Sequence, residues 1–400
     1  MRIETRDQLA GLHWKRIDAG TEIVIASEID IRDHNGPVTI FCDGTADAPV
    51  VIRGEGQHLV KGRGLRLTGQ HVLVYGLRVE GGAFGGLKVE GGISNLGPET
   101  AESFQFEGCE VTRAGYGFWL ERARHIFIEK CIVQDGVMVV DDEKNPDNDY
   151  GAGFAHLSGP CADVVIRRNT AINLNAYSPD YGSDGSFVEI GKDASRISVL
   201  NNTAYNSLTL IEMGGYQGKY TAQDVRVTGN AVYAMPGEQS SSLRAITLHT
   251  PHAKSQYGLA EMRGVVIENN TFYNFTRGDF VPGRDEMGAD ELVIGENDRR
   301  TETLTEAAFL ARHGNGAPDV PAVEPPVVEP PVVEPPDAAT GTLELRIVAT
   351  INGQTIQMTD AVASLIVPDA ISQEERALLD QWRGLSEEKR ALVGALVAAL

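Results

Sequence analysis

One unit recurs along this chain: a short apolar alternation, a turn, a second extended run, and a bend marked by small polar residues. In residues 185–206, Val188 and Ile190 alternate with Phe187 and Glu189, the period of a strand with two faces. Residues 191–195 carry turn chemistry, and Ile197, Val199, Thr203 and Tyr205 resume the extended pattern around a break at Asn201-Asn202. The break returns as Arg168-Asn169-Thr170, Gly229-Asn230-Ala231 and Asn269-Asn270-Thr271, and in altered form as Gly108-Cys109-Glu110 and Lys130-Cys131-Ile132, with Gly54 and Gly76 as earlier copies. Successive bends lie roughly 22 residues apart where loops are short and roughly 28 to 40 where loops are inserted. One such unit cannot bury its own apolar face, so the copies must stack into a solenoid.

This pattern resembles the right-handed parallel β-helix, the fold of pectate-lyase-like enzymes and of many phage tailspikes. The opening run Gly44-Thr45-Ala46-Asp47-Ala48-Pro49-Val50-Val51-Ile52-Arg53-Gly54 is similar to the first turn of β-helical polysaccharide lyases. The resemblance spans about residues 20–295 and implies an all-β, single-stranded solenoid acting on or binding polysaccharide. It specifies activity weakly, because a superfold hosts many chemistries.

The rest of the 400 residues divides around that solenoid. Residues 1–19 read as an N-terminal cap in which Leu9, Leu12 and Trp14 cover the open end, since an uncapped solenoid exposes strand edges and core. Residues 296–316 read as a short helix and exit segment. Residues 317–338 repeat Val-Glu-Pro-Pro in near copies, an extended spacer because proline fixes φ and removes a donor; a proline-motif ligand for another domain is the alternative. Residues 339–400 read as a small α+β module. Its apolar alternation turns at Asn352-Gly353, and two helices follow, capped at Ser372 and Ser386. A module of that size is expected to self-associate or dock onto a larger assembly.

Net charge, −21, argues against nucleic acid, which needs basic surface against its phosphates. It also favours neutral or mixed-charge glycans over strongly anionic ones. No run of 18 apolar residues is present, so no membrane span is expected. Met-Arg-Ile-Glu-Thr-Arg-Asp at the start lacks the apolar core of a secretory signal. The expected location is therefore a virion or phage-like particle assembled in a bacterial cytoplasm, or secretion by another route. Four cysteines do not make a disulfide framework; Cys109 and Cys131 share the bend column and read as stacked free thiols, a bridge between turns being the alternative.

Stacking the turns on Leu157, Ile190, Met213 and Leu248 places their outward neighbours His156, Glu189, Glu212 and Thr247 in one column, with His249 beside it. Glu189 and Glu212 on adjacent turns would stand near the separation of a retaining glycosidase pair, and mutual repulsion would leave one an acid and the other a base. A solvated stack with ordinary acidities is the plain alternative. Long insertions precede these strands, where binding sites are usually built. Trp119, Phe154, Tyr177, Tyr181, Phe187 and Tyr216 are candidate sugar-stacking aromatics, and Lys192, Lys219, Arg244 and His249 candidate polar contacts. The loop acids Asp147 and Asp149 are candidate Ca²⁺ ligands, although no glycine follows them as a calcium loop requires, and a solvated acidic loop without a cofactor is the alternative.

Three functions follow: a spike or fibre-type protein that binds cell-surface polysaccharide, with or without degrading it, a free-standing polysaccharide lyase or glycoside hydrolase, and a purely structural virion protein.

Overall fold

The repeating unit is laid down as three strands. In the computed structural model, Ser186–Ile190, Ala194–Leu200 and Thr203–Ser207 form one turn, and Thr209–Met213, Lys219–Thr228 and Ala231–Tyr233 form the next. The turns pair in parallel and in register: Glu189 lies against Glu212, Ile197 against Val225, and Ala204 against Val232. Repetition builds a right-handed parallel β-helix whose strands join into one 20-stranded and one 10-stranded sheet. The structure describes residues 1–314 apart from 83–84, 94–98, 141–148, 180–181, 215–217, 239, 241–242 and 254–257, together with the strands Arg346–Ile351 and Gln354–Thr359.

The recurring bend works through a left-handed residue followed by a buried one. Lys130, Arg168, Asn201 and Asn269 hold φ of 53°, 55°, 53° and 56°, and Gly108 and Gly229 take the same place at 62° and 72°. The next residue turns inward, so Cys109, Cys131, Asn169, Asn202, Asn230 and Asn270 are all at most 2% exposed. The asparagines satisfy one another. Asn202 Nδ2 donates to Asn230 Oδ1 at 2.9 Å and to the Ile166 carbonyl at 2.9 Å, while its Oδ1 accepts from Asn169 N and Nδ2 at 2.9 and 3.0 Å. A primary amide has donors and acceptors on one group, so identical residues can serve the turns above and below them. The ladder ends at Asn297, which accepts from Asn270 at 2.9 Å. All four cysteines are buried and free.

Leu157, Ile190, Met213 and Leu248 are fully buried, as the stacking requires. Phe154 and Phe187 depart from the expected outward pointing: both are fully buried and stack on each other at 4.6 Å inside the core. Each lies at the entrance of its strand, just after a tight corner. A Cβ at Gly185 would come within 2.0 Å of the Leu174 carbonyl, so the pleat is not yet established there and the second strand residue still faces in.

The N-terminal helix Arg6–Ala10 is closed by a Thr5–Gln8 capping box, and Leu9 and Leu12 plug the core. Trp14 does not join them. It is 38% exposed, because its backbone is committed to the sheet edge, where its N–H donates to the Thr39 carbonyl at 2.8 Å.

At the other end the helix Glu306–His313 does not lead away from the solenoid. Phe309 is fully buried among Tyr205, Tyr233 and Tyr273, which stand in register on the 10-stranded sheet, so the helix covers an aromatic stripe that would otherwise face water. Beyond it, Arg346–Ile351 and Gln354–Thr359 pair antiparallel about Asn352-Gly353. The two helices expected after that hairpin, and the proline-rich segment before it, lie outside the described residues.

Candidate active site

The outward column runs the length of the solenoid. In register it reads Thr39, Arg66, Lys88, Trp119, His156, Glu189, Glu212 and Thr247, with Phe280 bridged to Thr247 at the end. Neighbouring strands are about 4.8 Å apart, so the side chains of this row stand one above another.

Its two halves differ in charge balance. In the first, Lys88 Nζ lies 3.0 Å from Glu90 and 3.4 Å from Glu121, Arg66 is 3.3 Å from Glu90, and Arg122 reaches Glu90 and Glu121 at 3.5 and 3.4 Å. Three cations thus face two carboxylates. Lys88 also sits over the Trp119 ring at 5.3 Å, and Trp119 stacks flat on His156 at 4.4 Å.

In the second half two carboxylates stand side by side. Glu189 accepts a short hydrogen bond from the Tyr116 hydroxyl and lies 3.2 Å from His156 Nδ1. Glu212 lies 3.6 Å from His249 Nε2, an ion-pair contact too long for a hydrogen bond. Burial pushes the Glu189 carboxyl up, but the His156 ring and the Tyr116 hydroxyl outweigh it and hold Glu189 below the usual carboxylate range. Burial, reinforced by the charge of Glu189 and only partly offset by His249, holds Glu212 above that range. The pair is therefore split: one carboxylate ionises easily, and its neighbour keeps its proton to higher pH. Burial also raises the Tyr116 and Tyr220 phenols well above their ordinary value, so both remain hydroxyl donors. The Tyr220 hydroxyl donates a hydrogen bond to the Ile190 carbonyl at 2.9 Å.

The side chains of Glu189 and Glu212 are 17% and 25% exposed, against 3% for His156 and 10% for His249. The carboxylates thus reach solvent while the imidazoles back them. His156, expected as a catalytic group, is walled off by Trp119 and Tyr116, whose ring centres lie 4.4 and 4.8 Å away, and acts on Glu189.

Other expected contacts scatter. Trp119 is in the column but only 5% exposed; its faces are taken by His156 and Lys88, so it is no open platform. Phe154 and Phe187 belong to the core. Tyr177 is 71% exposed on the short hairpin Ala176–Ser178 and Gly182–Asp184. Lys192 and Lys219 are exposed at the ends of strands flanking the column. Arg244 sits at its far end, over Phe280 at 5.8 Å, and donates to the Gly278 carbonyl at 2.7 Å. Tyr181, Tyr216 and Asp147 lie outside the described residues.

Asp149 is buried and accepts from the Ser178 hydroxyl at 2.7 Å. Among the described residues no three His, Cys, Asp or Glu side chains converge on a point that would hold a metal ion.

Sequence patterning missed Tyr116, Phe280 and the cationic half of the column. Arg66 and Lys88 lie upstream of the asparagine bends that set the register. Tyr116 reaches Glu189 from two turns away, a contact that no local periodicity encodes.

No protein-family model matches this sequence, and no curated protein matches it. Among solved structures, an alginate lyase from Paenibacillus aligns at 15% identity and a TM-score of 0.42, over 76% of this chain and 97% of that one. A variant of Bacillus subtilis pectate lyase aligns at 11% identity and 0.38, over 80% and 86%. A tailspike of an E. coli bacteriophage aligns at 13% identity and 0.36, over 75% and 56%. At these values the similarity is one of fold.

Proposed function

We propose that this protein binds a polysaccharide along the outward column and hydrolyses its glycosidic bonds with the Glu189–Glu212 pair. The observation that carries the reading is that two adjacent, solvent-touching carboxylates of one residue type are biased toward opposite protonation states by different partners. Glu212, the carboxyl that holds its proton to the higher pH, donates it to the leaving glycosidic oxygen as the C–O bond breaks. Glu189, ionised and held by Tyr116 and His156, attacks the anomeric carbon and forms a glycosyl ester. Water then displaces the sugar from that ester, giving a proton back to Glu212, so that both groups return to their starting states. The spacing of adjacent strands, about 4.8 Å, favours this retaining course over an inverting one, which needs room for a water between the carboxylates.

The repeating rungs offer an extended chain a track parallel to the solenoid axis. The protein's place of action is part of the same proposal: a particle-borne spike or fibre, with the proline-rich spacer and residues 339–400 as its attachment. Sedimentation of the full chain as a monomer, with no association with a particle, would remove the attachment while leaving the chemistry in place.

The test is product release from a panel of neutral and anionic bacterial polysaccharides. New reducing ends without the ultraviolet absorbance of an unsaturated uronate are expected. Glu189→Gln and Glu212→Gln should each lower the rate by roughly 10²–10⁴-fold with the fold intact. Unsaturated products would replace hydrolysis by elimination, and full activity in the double variant would end the assignment.

A further inference from the structure

The geometry around Glu189 points to a positioning residue: we infer that the Tyr116 hydroxyl, admitted by the missing side chain at Gly153, fixes the Glu189 rotamer and makes Glu189 the acceptor carboxylate of the pair. The inference rests on the reading of Glu189 and Glu212 as the working pair, and it concerns what distinguishes them.

Tyr116 and Glu189 are not neighbours on adjacent turns. Tyr116 pairs with Gly153, and Gly153 pairs with Ser186, so the tyrosine must cross a whole turn to reach the carboxylate. It crosses over Gly153. A Cβ there would come within 2.2 and 2.4 Å of the Tyr116 Cδ1 and Cε1, closer than real Cβ contacts allow, and both atoms belong to a ring that is 2% exposed and cannot swing aside. Trp119 and His156 close the ring in at 5.6 and 4.8 Å. Glycine at 153 is thus explained by the ring that fills its side-chain space.

A matching notch lies beneath the other carboxylate. A Cβ at Gly214 would fall 2.4–2.6 Å from the imidazole of His249, the residue that faces Glu212. Each carboxylate is therefore addressed by a ring seated over a glycine, but the two rings differ. Tyr116 presents a hydroxyl donor to Glu189, whereas His249 brings a ring nitrogen to 3.6 Å from Glu212. A hydroxyl donor favours the ionised form of the acid it serves, so the Tyr116 hydroxyl adds to His156 in holding Glu189 below Glu212.

The other groups facing Glu189 are His156 from the preceding turn, Glu212 from the following one, and His249 one turn further on. Tyr220 lies close enough to feel both carboxylates, and Asp184 stands near Tyr116. None of these is removed by Tyr116→Phe, which deletes one hydroxyl and keeps the ring.

The experiment is a side-chain carboxyl titration by carbon-detected NMR of the full chain carrying labelled glutamate, with Glu189→Gln and Glu212→Gln used to assign the two signals. No substrate is needed, so the result stands whether or not the protein cleaves a glycan. In the native protein Glu189 should titrate below Glu212. Tyr116→Phe should raise the Glu189 midpoint by roughly one pH unit. Gly153→Ala, which retains the hydroxyl but displaces the ring, should move Glu189 in the same direction. A Glu189 midpoint unchanged in folded Tyr116→Phe overturns the inference. So does a Gly153→Ala protein whose Glu189 titrates as in the native chain. Activity would add a second readout: the acid limb of the pH–rate profile should follow Glu189 upward in both variants, whereas a merely structural loss would lower the whole profile without moving its limbs.

Discussion

Two of the solenoid's stacks of identical side chains have opposite consequences. In the inward column Asn169, Asn202, Asn230 and Asn270 lie one turn above another and bond at 2.9–3.0 Å. In the outward column Glu189 and Glu212 are stacked by the same register, but a carboxylate has acceptors and no donor. Amides in a row complete one another; carboxylates in a row oppose one another, and only an outside donor or proton relieves the conflict. The first column is scaffold for that reason, and the second holds two groups of unequal acidity. The comparison also separates the halves of the outward column. Where Lys88, Arg66 and Arg122 face Glu90 and Glu121 opposite charges meet, and where Glu189 meets Glu212 like charges do.

Three measurements would break or sharpen this contrast. The largest effect belongs to the amide ladder. Asn202→Ala leaves the Ile166 carbonyl and the Asn169 backbone N–H buried without their partners, and a loss of about 3 kcal/mol in denaturant unfolding is expected. A loss below roughly 1 kcal/mol would mean that the ladder is not what holds the turns together.

Next comes Glu212→Gln. Because the folded protein raises Glu212 above its ordinary 4.5, the group's contribution is fully present below that value and is lost as pH rises through the folded value. The variant should therefore be more stable than the native protein at neutral pH, with the difference vanishing below the ordinary carboxylate range. Thermal unfolding across pH reads this directly, and a variant less stable at neutral pH would show that Glu212 is comfortable as an anion.

The smallest effect is expected on the surface. Arg124 and Glu102 pair at 2.6 Å on adjacent turns, with side chains 50% and 28% exposed, and Arg124→Ala should cost less than about 1 kcal/mol and diminish further in salt. A cost equal to that of Asn202→Ala would erase the distinction between stacked amides and stacked charges.

Much of the fold was legible because its signal is periodic. The bend column at Asn169, Asn202, Asn230 and Asn270, the inward Leu157, Ile190, Met213 and Leu248, and the outward His156, Glu189 and Glu212 all follow from strand alternation plus one repeated break. Phe154 and Phe187 were misplaced by the same rule, because alternation does not hold at a corner where the chain is still turning. Trp119 reads from the sequence only as an exposed aromatic; its place in the column and its burial depend on His156 and Lys88, which arrive from neighbouring turns. The path of Glu306–His313 was missed because an amphipathic helix reveals an apolar face but not the surface it will cover, here Tyr205, Tyr233 and Tyr273.

By itself, then, the sequence determined that about residues 20–295 are a stack of repeated strand-and-turn units and that His156, Glu189 and Glu212 share a column, since both are properties of spacing along the backbone. Only the tertiary structure decided that Tyr116 crosses Gly153 to reach Glu189, that His249 settles over Gly214 beside Glu212, and that one carboxylate ionises more readily than its neighbour. Those facts depend on side chains brought together from turns separated by loops of unequal length, and acidity is set by what stands within a few ångströms in space rather than by position along the chain.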